Sequence, residues 1–146
     1  MSKEKTLKLT IATPNGIVYE DQIEKITIPT VAGEITMLPE HEAMVSVLKA
    51  GEIIIYKDDY QINLALSGGV LEMRPTNELY LIADSAERAE EIDVERAEAS
   101  KKRAEELLQQ IKNVEDVDYA RIQAMIEKEV NRLNVGKKYK KMRPGQ

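Results

Sequence analysis

The sequence contains no cysteine, no phenylalanine and no tryptophan, and it has one histidine among 146 residues. Without cysteine, the chain has neither a disulfide framework nor a metal site built from thiolates. Tyrosine is the only aromatic residue, and because 42% of the residues are hydrophobic, we expect an aliphatic core. No stretch reaches the ~18–20 apolar residues that a membrane span needs, and the N-terminus lacks a signal-peptide pattern. We therefore expect no direct insertion into a membrane.

The negative charge is concentrated in the first part of the chain. Residues 1–90 hold 8 basic and 15 acidic side chains, a balance of −7, whereas residues 91–146 hold 13 basic and 11 acidic ones. Five basic residues within 137–143 raise the question of nucleic-acid binding. Tyr139 is the only aromatic residue beside them, so bases would have no platform on which to stack. We interpret residues 137–146 as a basic flexible tail and expect no nucleic-acid partner.

Residues 1–86 alternate apolar and polar side chains with a period of two, which predicts strands. Leu7, Leu9 and Ile11, for example, share one parity. Turn signals such as Pro14-Asn15-Gly16 separate eight or nine short segments. The connections are too short for the crossovers that consecutive parallel strands need. The pattern predicts an antiparallel β-sandwich or flattened barrel.

Residues 87–136 are predicted to form two helices, because from Ile92 onward apolar residues recur every three or four positions. Asp93 stands where an N-cap is expected, and Gly136 where a C-terminal cap is expected. The short polar break at residues 113–116 predicts an antiparallel hairpin. The apolar face of the first helix comprises Val94, Ala97, Ala104, Leu108 and Ile111. That of the second comprises Tyr119, Ile122, Ile126, Val130 and Leu133.

The predicted fold class is therefore α+β, with an antiparallel β-sandwich first and a two-helix hairpin after it. The seam, meaning the interface between the two helices, is thin because alanine buries little apolar area. Each Å² of buried apolar area contributes only ~25 cal/mol. Ordering the backbone costs about 1–2 kcal/mol per residue. Such a hairpin is only marginally stable unless it packs on something else, which is typical of a movable element. An imperfectly packed static hairpin has the same sequence pattern.

No combination of residues predicts catalysis or a metal site. His41 is the sole histidine, and a metal or general-base site needs further converging groups. Ser67-Gly68-Gly69 lacks the flanking pattern of a nucleophile elbow or a phosphate loop, and a tight turn or β-bulge explains its glycines. We predict that the chain is not an enzyme by itself and requires no cofactor.

Two basic pairs are candidates for binding an anion. Arg96 and Arg103 are seven residues apart and share one face of the first helix, while Lys128 and Arg132 are four apart on the second. Together they would form two sides of an anion site. In the alternative interpretation, Asp93 is only a cap and Arg96 an ordinary surface arginine, and the residue pattern leaves both open.

From Leu7 to about Leu133, the chain resembles the epsilon subunit of the bacterial F-type ATP synthase. The matching segments are residues 13–19, residues 29–34, Leu38-Pro39 with His41, residues 66–72, residues 92–97 and residues 131–133. Their order and spacing, rather than any one segment, support the resemblance.

The resemblance implies a ten-stranded sandwich followed by a helical hairpin, in the central rotating stalk of the synthase. It implies a peripheral position on the cytoplasmic side of the cell membrane, and coupling of rotation to ion flow without catalysis. The implied partners are the gamma subunit and the ring of c subunits, with the loop that carries Glu34 and His41 facing the ring.

The resemblance also implies that the hairpin inhibits ATP hydrolysis when it extends along gamma into the catalytic hexamer. When folded down on the sandwich, it permits turnover. In the inhibitory state, Arg121, Lys128 and Arg132 would meet an acidic loop of the beta subunit.

Regulatory ATP is a further implication, since members of the Bacillus-like branch bind it through an Ile-Asp-x-x-Arg-Ala motif. The residues implied in ATP binding are Glu87, Ile92, Asp93, Arg96, Ala97, Arg103, Lys128 and Arg132. Lys128 replaces an arginine of the ATP-binding members and lacks its planar fork. We therefore expect ATP binding of reduced affinity. The alternative function is a stand-alone ATP-binding sensor without a rotary role.

Overall fold

The computed structural model describes residues 5–111, 115 and 117–142. Two compact units make up the chain, Met1–Arg88 and Ala89–Gln146. The described strands all belong to the first unit and the described α-helices to the second. The predicted order, a β-sandwich followed by two helices, is confirmed. No helix among these residues is long and apolar enough to cross a membrane.

Ten strands are present within the described part of the first unit. They are β1 Leu7–Thr13, β2 Gly16–Ile23, β3 Lys25–Thr30, β4 Gly33–Met37, β5 Met44–Leu48, β6 Gly51–Lys57, β7 Tyr60–Leu66, β8 Gly69–Arg74, β9 Glu78–Ala83 and β10 Ala86–Arg88. They pair in the order β10-β7-β6-β3-β5-β8-β9-β1-β2, and β4 pairs with β3. The alternation of residues indicated only eight or nine strands, because β10 spans three residues and is too short to show a period.

One strand pair departs from the predicted antiparallel arrangement. β1 and β9 run parallel, with Leu9 opposite Leu79 and Ile11 opposite Leu81. The length of a crossover limits parallel pairing only between strands that follow each other in sequence. Seven other strands lie between β1 and β9, so that limit does not apply to them.

The core of the first unit is aliphatic, as predicted. In β1, Leu7, Leu9 and Ile11 are fully buried, while Lys8 points outward. In β6, Ile53 is fully buried and the following Ile54 lies on the other face, half-buried. Because buried members of this core all fall between residues 7 and 83, the first unit has a core of its own.

Gly69 is required by the backbone where β8 meets β9. Its φ is 138°, and a Cβ at this position would lie 2.0 Å from the carbonyl oxygen of Ile82. The preceding Gly68 also has a positive φ, 122°. Close backbone approach therefore accounts for this glycine pair, in agreement with the interpretation as a tight turn.

The second unit begins with a 3-10 turn, Ala89–Glu91, followed by α1, Val94–Gln109, and α2, Val117–Met142. The helices are antiparallel, because Lys137 near the end of α2 lies 3.1 Å from Glu98 near the start of α1. The apolar faces are turned inward, as the 2% exposure of Ala104 and the 6% exposure of Ile122 illustrate. Of the predicted polar break, residues 113, 114 and 116 lie outside the described residues.

The prediction that Gly136 ends the second helix is wrong, because α2 continues through it to Met142. Glycine inside a helix costs about 0.5–1 kcal/mol relative to alanine, so its position needs another explanation. A Cβ at residue 136 would lie 3.1 Å from methyl carbons of both Ile92 and Val94. Glycine here allows a close approach. Residues 137–142, predicted as part of a tail, are helical, and residues 143–146 lie outside the described residues.

Candidate functional site

A line of apolar side chains crosses the outer face of the first unit. Val47 of β5 pairs with Val70 of β8, which pairs with Ile82 of β9. Ile82 pairs with Ala12 of β1, and Ala12 pairs with Ile17 of β2. Because directly opposite residues project from the same face of a sheet, these five residues form the outer apolar row. At 4.7–4.9 Å between strands, the row is about 19 Å long.

The outer apolar row is open to solvent. Its members other than Ala12 are between 43% and 64% exposed. Val31 is 65% exposed and extends the row, since its amide donates a hydrogen bond to the carbonyl oxygen of Val47 at 3.0 Å. Leu71 and Leu81, which neighbour row members in sequence, are fully buried. The core is thus filled from the other face, and a contiguous exposed apolar set of this kind marks an interaction surface.

Further along the same strands, the outer face becomes charged. Arg74 pairs with Glu78 across β8 and β9, and its guanidinium lies 4.2 Å from the centre of the Tyr80 ring. The Tyr80 hydroxyl donates to Glu78 at 2.7 Å, which lowers the pKa of Glu78 and raises the pKa of Tyr80. The carboxylate of Glu78 therefore stays ionised at neutral pH. This face is apolar at one end and charged at the other.

Glu34 and His41 do not share a loop, contrary to the expectation. Glu34 lies in β4, opposite Pro29 and close to the turn that holds Val31. His41 lies in the connection after β4, where the amide of its neighbour Glu40 donates to the side chain of Asn77 at 2.6 Å. Asn77 lies in the turn beyond the charged end of β8, roughly 15 Å along the strand from the outer apolar row. Glu34 is thus at the apolar end and His41 at the charged end.

His41 has the environment of a surface residue. Its ring is exposed, and Nδ1 donates to the carbonyl oxygen of Glu42 at 2.8 Å. Over the residues that the structure describes, no group of three or more His, Cys, Asp or Glu side chains is arranged to hold a metal ion.

The segment from Ile92 to Ala97 forms the start of α1. Asp93 has an extended conformation, with φ −83° and ψ 99°, and its Oδ1 accepts from the amide of Arg96 at 3.0 Å. Ile92 and Ala97 are buried, with 6% and 0% exposure, while Asp93 and Arg96 face solvent. The interpretation of Asp93 as an N-cap is therefore confirmed, and its carboxylate also lies where the helix dipole favours negative charge.

The antiparallel packing of α1 and α2 determines the level, meaning the position along the hairpin axis, of each of the four basic residues predicted to bind an anion. Gly136 stands against Val94, and Lys137 contacts Glu98. Counting along both helices from these contacts at 1.5 Å per residue, Arg103 is about level with residues 127–132. Arg103 thus shares a level with Lys128 and Arg132, whereas Arg96 lies roughly 10 Å nearer the start of α1.

These basic residues have different surroundings. Arg132 forms an ion pair with Glu129 at 2.8 Å, and both side chains are mostly buried, at 18% and 13% exposure. Arg103 donates to the hydroxyl of Ser100 at 3.2 Å and is exposed. Lys128 is also exposed. Arg103 and Lys128 are therefore accessible to an anion, while Arg132 is already neutralised within α2.

Two further predicted site residues lie elsewhere. Arg121 lies near the start of α2 and pairs with Asp118 at 3.4 Å, with both side chains more than 60% exposed. Pairs this exposed contribute little to stability and exchange readily with other partners. Glu87 belongs to β10 of the first unit, in register with Ala65.

Family models match almost the whole chain. Residues 6–89 match the beta-sandwich domain of the ATP synthase Delta/Epsilon chain, and residues 90–137 match the long alpha-helix domain of the same chain. The junction between these two matches falls within one residue of the junction between the compact units.

Individual relatives agree with the family match. The ATP synthase epsilon chain of Bacillus licheniformis is 41% identical over 133 residues, covering 91% of this chain and 99% of that protein. The ATP synthase epsilon chain of Bacillus velezensis is 42% identical over 131 residues, covering 90% and 97%.

Solved structures share the fold. A chain of the Euglena gracilis mitochondrial ATP synthase, solved as OSCP/F1/c-ring, has a TM-score of 0.69 and 24% identity, covering 88% of this chain and 79% of that one. A chain of the Tetrahymena thermophila mitochondrial ATP synthase, solved as central stalk/c-ring, has a TM-score of 0.54 and 16% identity, covering 94% and 98%.

The capping role of Asp93 predicts a difference between two substitutions. Asp93→Ala should lower the free energy of unfolding of the second unit by about 1 kcal/mol, the usual cost of losing an N-cap. Asp93→Asn keeps a capping side chain and should stay within a few tenths of a kcal/mol of the parent. Urea unfolding followed by helical circular dichroism measures both. Equal stabilities of the two variants would contradict the cap.

Proposed function

The chain belongs to the family of ATP synthase delta/epsilon chains, the epsilon subunits of the F-type central stalk, and we propose that its two units have separate tasks. The first unit holds the chain on the stalk and transmits rotation that is coupled to ion flow. The second unit restrains ATP hydrolysis. The chain itself performs no catalysis, and the complex holds it at the cytoplasmic side of the cell membrane as a peripheral subunit.

The exposed outer apolar row is the observation on which the docking role depends. It lies over a core that is complete without it, so its apolar area gains nothing until a partner covers it. The gamma subunit is the partner proposed for this face. The charged end, with Arg74 and Glu78, would fix the orientation of the partner, because charges at a rim give specificity more than affinity.

Because Glu34 and His41 lie at opposite ends of this face, we propose a different partner for each. Glu34 lies beside the hairpin turn at the apolar end, next to the exposed Val31. We assign this end to the polar loops of the c-ring. His41 lies at the charged end, beside the turn that contains Asn77, and we assign it to gamma.

Docking through the outer apolar row predicts that Ile82→Glu weakens assembly. A charge in the middle of the row would be buried without a partner at the interface, and loss of a central contact typically costs 2 kcal/mol or more, about 30-fold in affinity. Co-purification with gamma measures the effect. Tyr60→Glu is the matched control, since Tyr60 is 52% exposed on β7, away from the row. Similar recovery of gamma with both variants would exclude this surface.

The inhibitory role of the second unit is supported by its independence and by its thin seam. It forms a compact unit separate from the sandwich. Its α1 face contributes Ala97 and Ala104, which remove little apolar area from water. A hairpin held this weakly can exchange between a closed form and one with separated helices. In the separated form, Arg121, Lys128 and Arg132 would contact an acidic loop of the beta subunit.

Removing residues 92–146 tests the inhibitory role. Because the first unit has its own core, the shortened chain should fold and still assemble. The synthase that contains it should hydrolyse ATP faster than the synthase with the full chain, since nothing then enters the catalytic hexamer. Hydrolysis rates in the two purified complexes are compared. An unchanged rate, with the shortened chain present in the complex, would falsify the inhibitory role.

ATP is proposed as the regulatory ligand of the closed hairpin. The shared level of Arg103, Lys128 and Arg132 supports the proposal, because the first two are exposed and cationic. A ligand at about 100 times its dissociation constant stabilises the form it binds by ~2.7 kcal/mol. That amount is enough to bias a marginal hairpin and too little to move a well-packed one. Because Oδ1 of Asp93 already accepts from the amide of Arg96, Asp93 would contact ATP only through its other atoms.

Calorimetric titration of the isolated chain with ATP tests this site through two substitutions that should change the affinity in opposite directions. Lys128→Arg should tighten binding, because the planar guanidinium of arginine contacts phosphate through two parallel hydrogen bonds. Arg103→Ala should weaken it by about tenfold or more, since charge-assisted hydrogen bonds contribute about 1.5–3 kcal/mol. Absence of heat at millimolar ATP in the parent and in Lys128→Arg would rule the site out. ATP binding by a chain that fails to co-purify with gamma would favour the stand-alone sensor.

A further inference from the structure

The last turns of α2 lie against the segment where α1 begins. A Cβ at Gly136 would lie 3.1 Å from Cγ2 of Ile92, 3.1 Å from Cγ2 of Val94 and 3.4 Å from Cβ of Ile92. Only a residue without a side chain lets these two methyl groups meet the helix backbone directly. Ile92 is 6% exposed, and Val135, next to Gly136, is 4% exposed. The contact is therefore closely packed and excludes water.

Two polar contacts follow this packed glycine along α2. Lys137 Nζ lies 3.1 Å from Glu98 Oε1, and the Tyr139 hydroxyl donates to Glu90 Oε2 at 3.4 Å. Glu90 belongs to the 3-10 turn before α1, and Glu98 to the early part of α1 itself. The end of α2 thus contacts the chain both before and after Ile92. The match to the family model ends at residue 137, whereas α2 continues to Met142. The contact of Tyr139 belongs to this extension.

We propose that Gly136, Lys137 and Tyr139 form a clasp on Glu90, Ile92, Val94 and Glu98, and that its release is the step that lets the two helices separate. The proposal rests on the inhibitory function proposed for the second unit and names what controls it. Elsewhere along the seam, the buried residues on the α1 side are Ala97 and Ala104, which remove little area from water. The clasp is therefore a major determinant of the fraction of closed hairpins. In sequence, the first clasp residue is Glu90, the second residue of the second unit.

Gly136→Leu tests the packed contact. Overpacking there should open the clasp and speed amide hydrogen exchange in α1 and the last turns of α2 by roughly tenfold or more. Asn134→Leu is the matched control, because it adds the same side chain to the same helix at an exposed position. It should leave exchange within about twofold of the parent. Exchange in the strands reports whether the first unit remains folded. Equal exchange rates in the two variants would overturn the clasp.

An engineered disulfide tests the clasp without overpacking. The chain contains no cysteine, so Ile92→Cys combined with Gly136→Cys introduces a single pair. The ideal Cβ at residue 136 lies 3.4 Å from Cβ of Ile92, close to the roughly 3.5–4.5 Å of natural disulfides. In the assembled synthase, the oxidised double variant should hydrolyse ATP faster than the same complex after reduction, because a locked hairpin cannot extend. Each single-cysteine variant should show no response to reduction.

The shortened chain that lacks residues 92–146 separates failure of the clasp from failure of the inhibitory function. If the deletion raises hydrolysis but oxidation of the double variant does not, inhibition does not require the clasp to open, and the clasp proposal is wrong. If the deletion leaves hydrolysis unchanged, the inhibitory function is wrong. Hydrogen exchange in Gly136→Leu then decides by itself whether the clasp holds the hairpin closed.

Discussion

Successive side chains of a strand point to opposite faces, and the first unit depends on this constraint throughout. In β8 and β9, one parity supplies Leu71 and Leu81 to the core, so the other parity is unavailable for packing inside. Val70 and Ile82 therefore face outward whatever their chemistry. Apolar residues on that parity have no role in the fold of the unit itself. Their alignment across five strands is what gives the unit a surface to offer to another subunit.

The second unit is stabilised in a different way. Its two helices pack on each other, and the buried residues that α1 contributes are small alanines. Stability is therefore concentrated at particular places, such as the cap at Asp93 and the close packing of Ile92 against Gly136. A unit stabilised in this way can open without disturbing the strands, because the core of the sandwich contains none of its residues. The division into two units thus gives each unit a separate source of stability.

The sequence predicts what is local and misses what depends on pairing. Strand alternation, the apolar helix faces and the cap at Asp93 each follow from a few consecutive residues, and the structure has them all. The parallel pairing of β1 with β9 and the outer apolar row require the register of distant strands. The consecutive apolar residues Val70-Leu71 and Leu81-Ile82 were a signal for the row, since a half-buried strand should be apolar on one parity only. Gly136 resembled a cap because its packing partner lies forty-four residues earlier.

The outer apolar row also favours association between copies of this chain that are outside the synthase. Such a copy exposes this line of valine and isoleucine side chains to every other free copy. Mutual repulsion from the balance of −7 on residues 1–90 opposes their association at neutral pH. The net charge of the whole chain, −5 at neutral pH, falls to zero as the pH approaches the isoelectric point of about 5.1, and the repulsion weakens with it. The free chain should therefore associate with itself most readily near that pH.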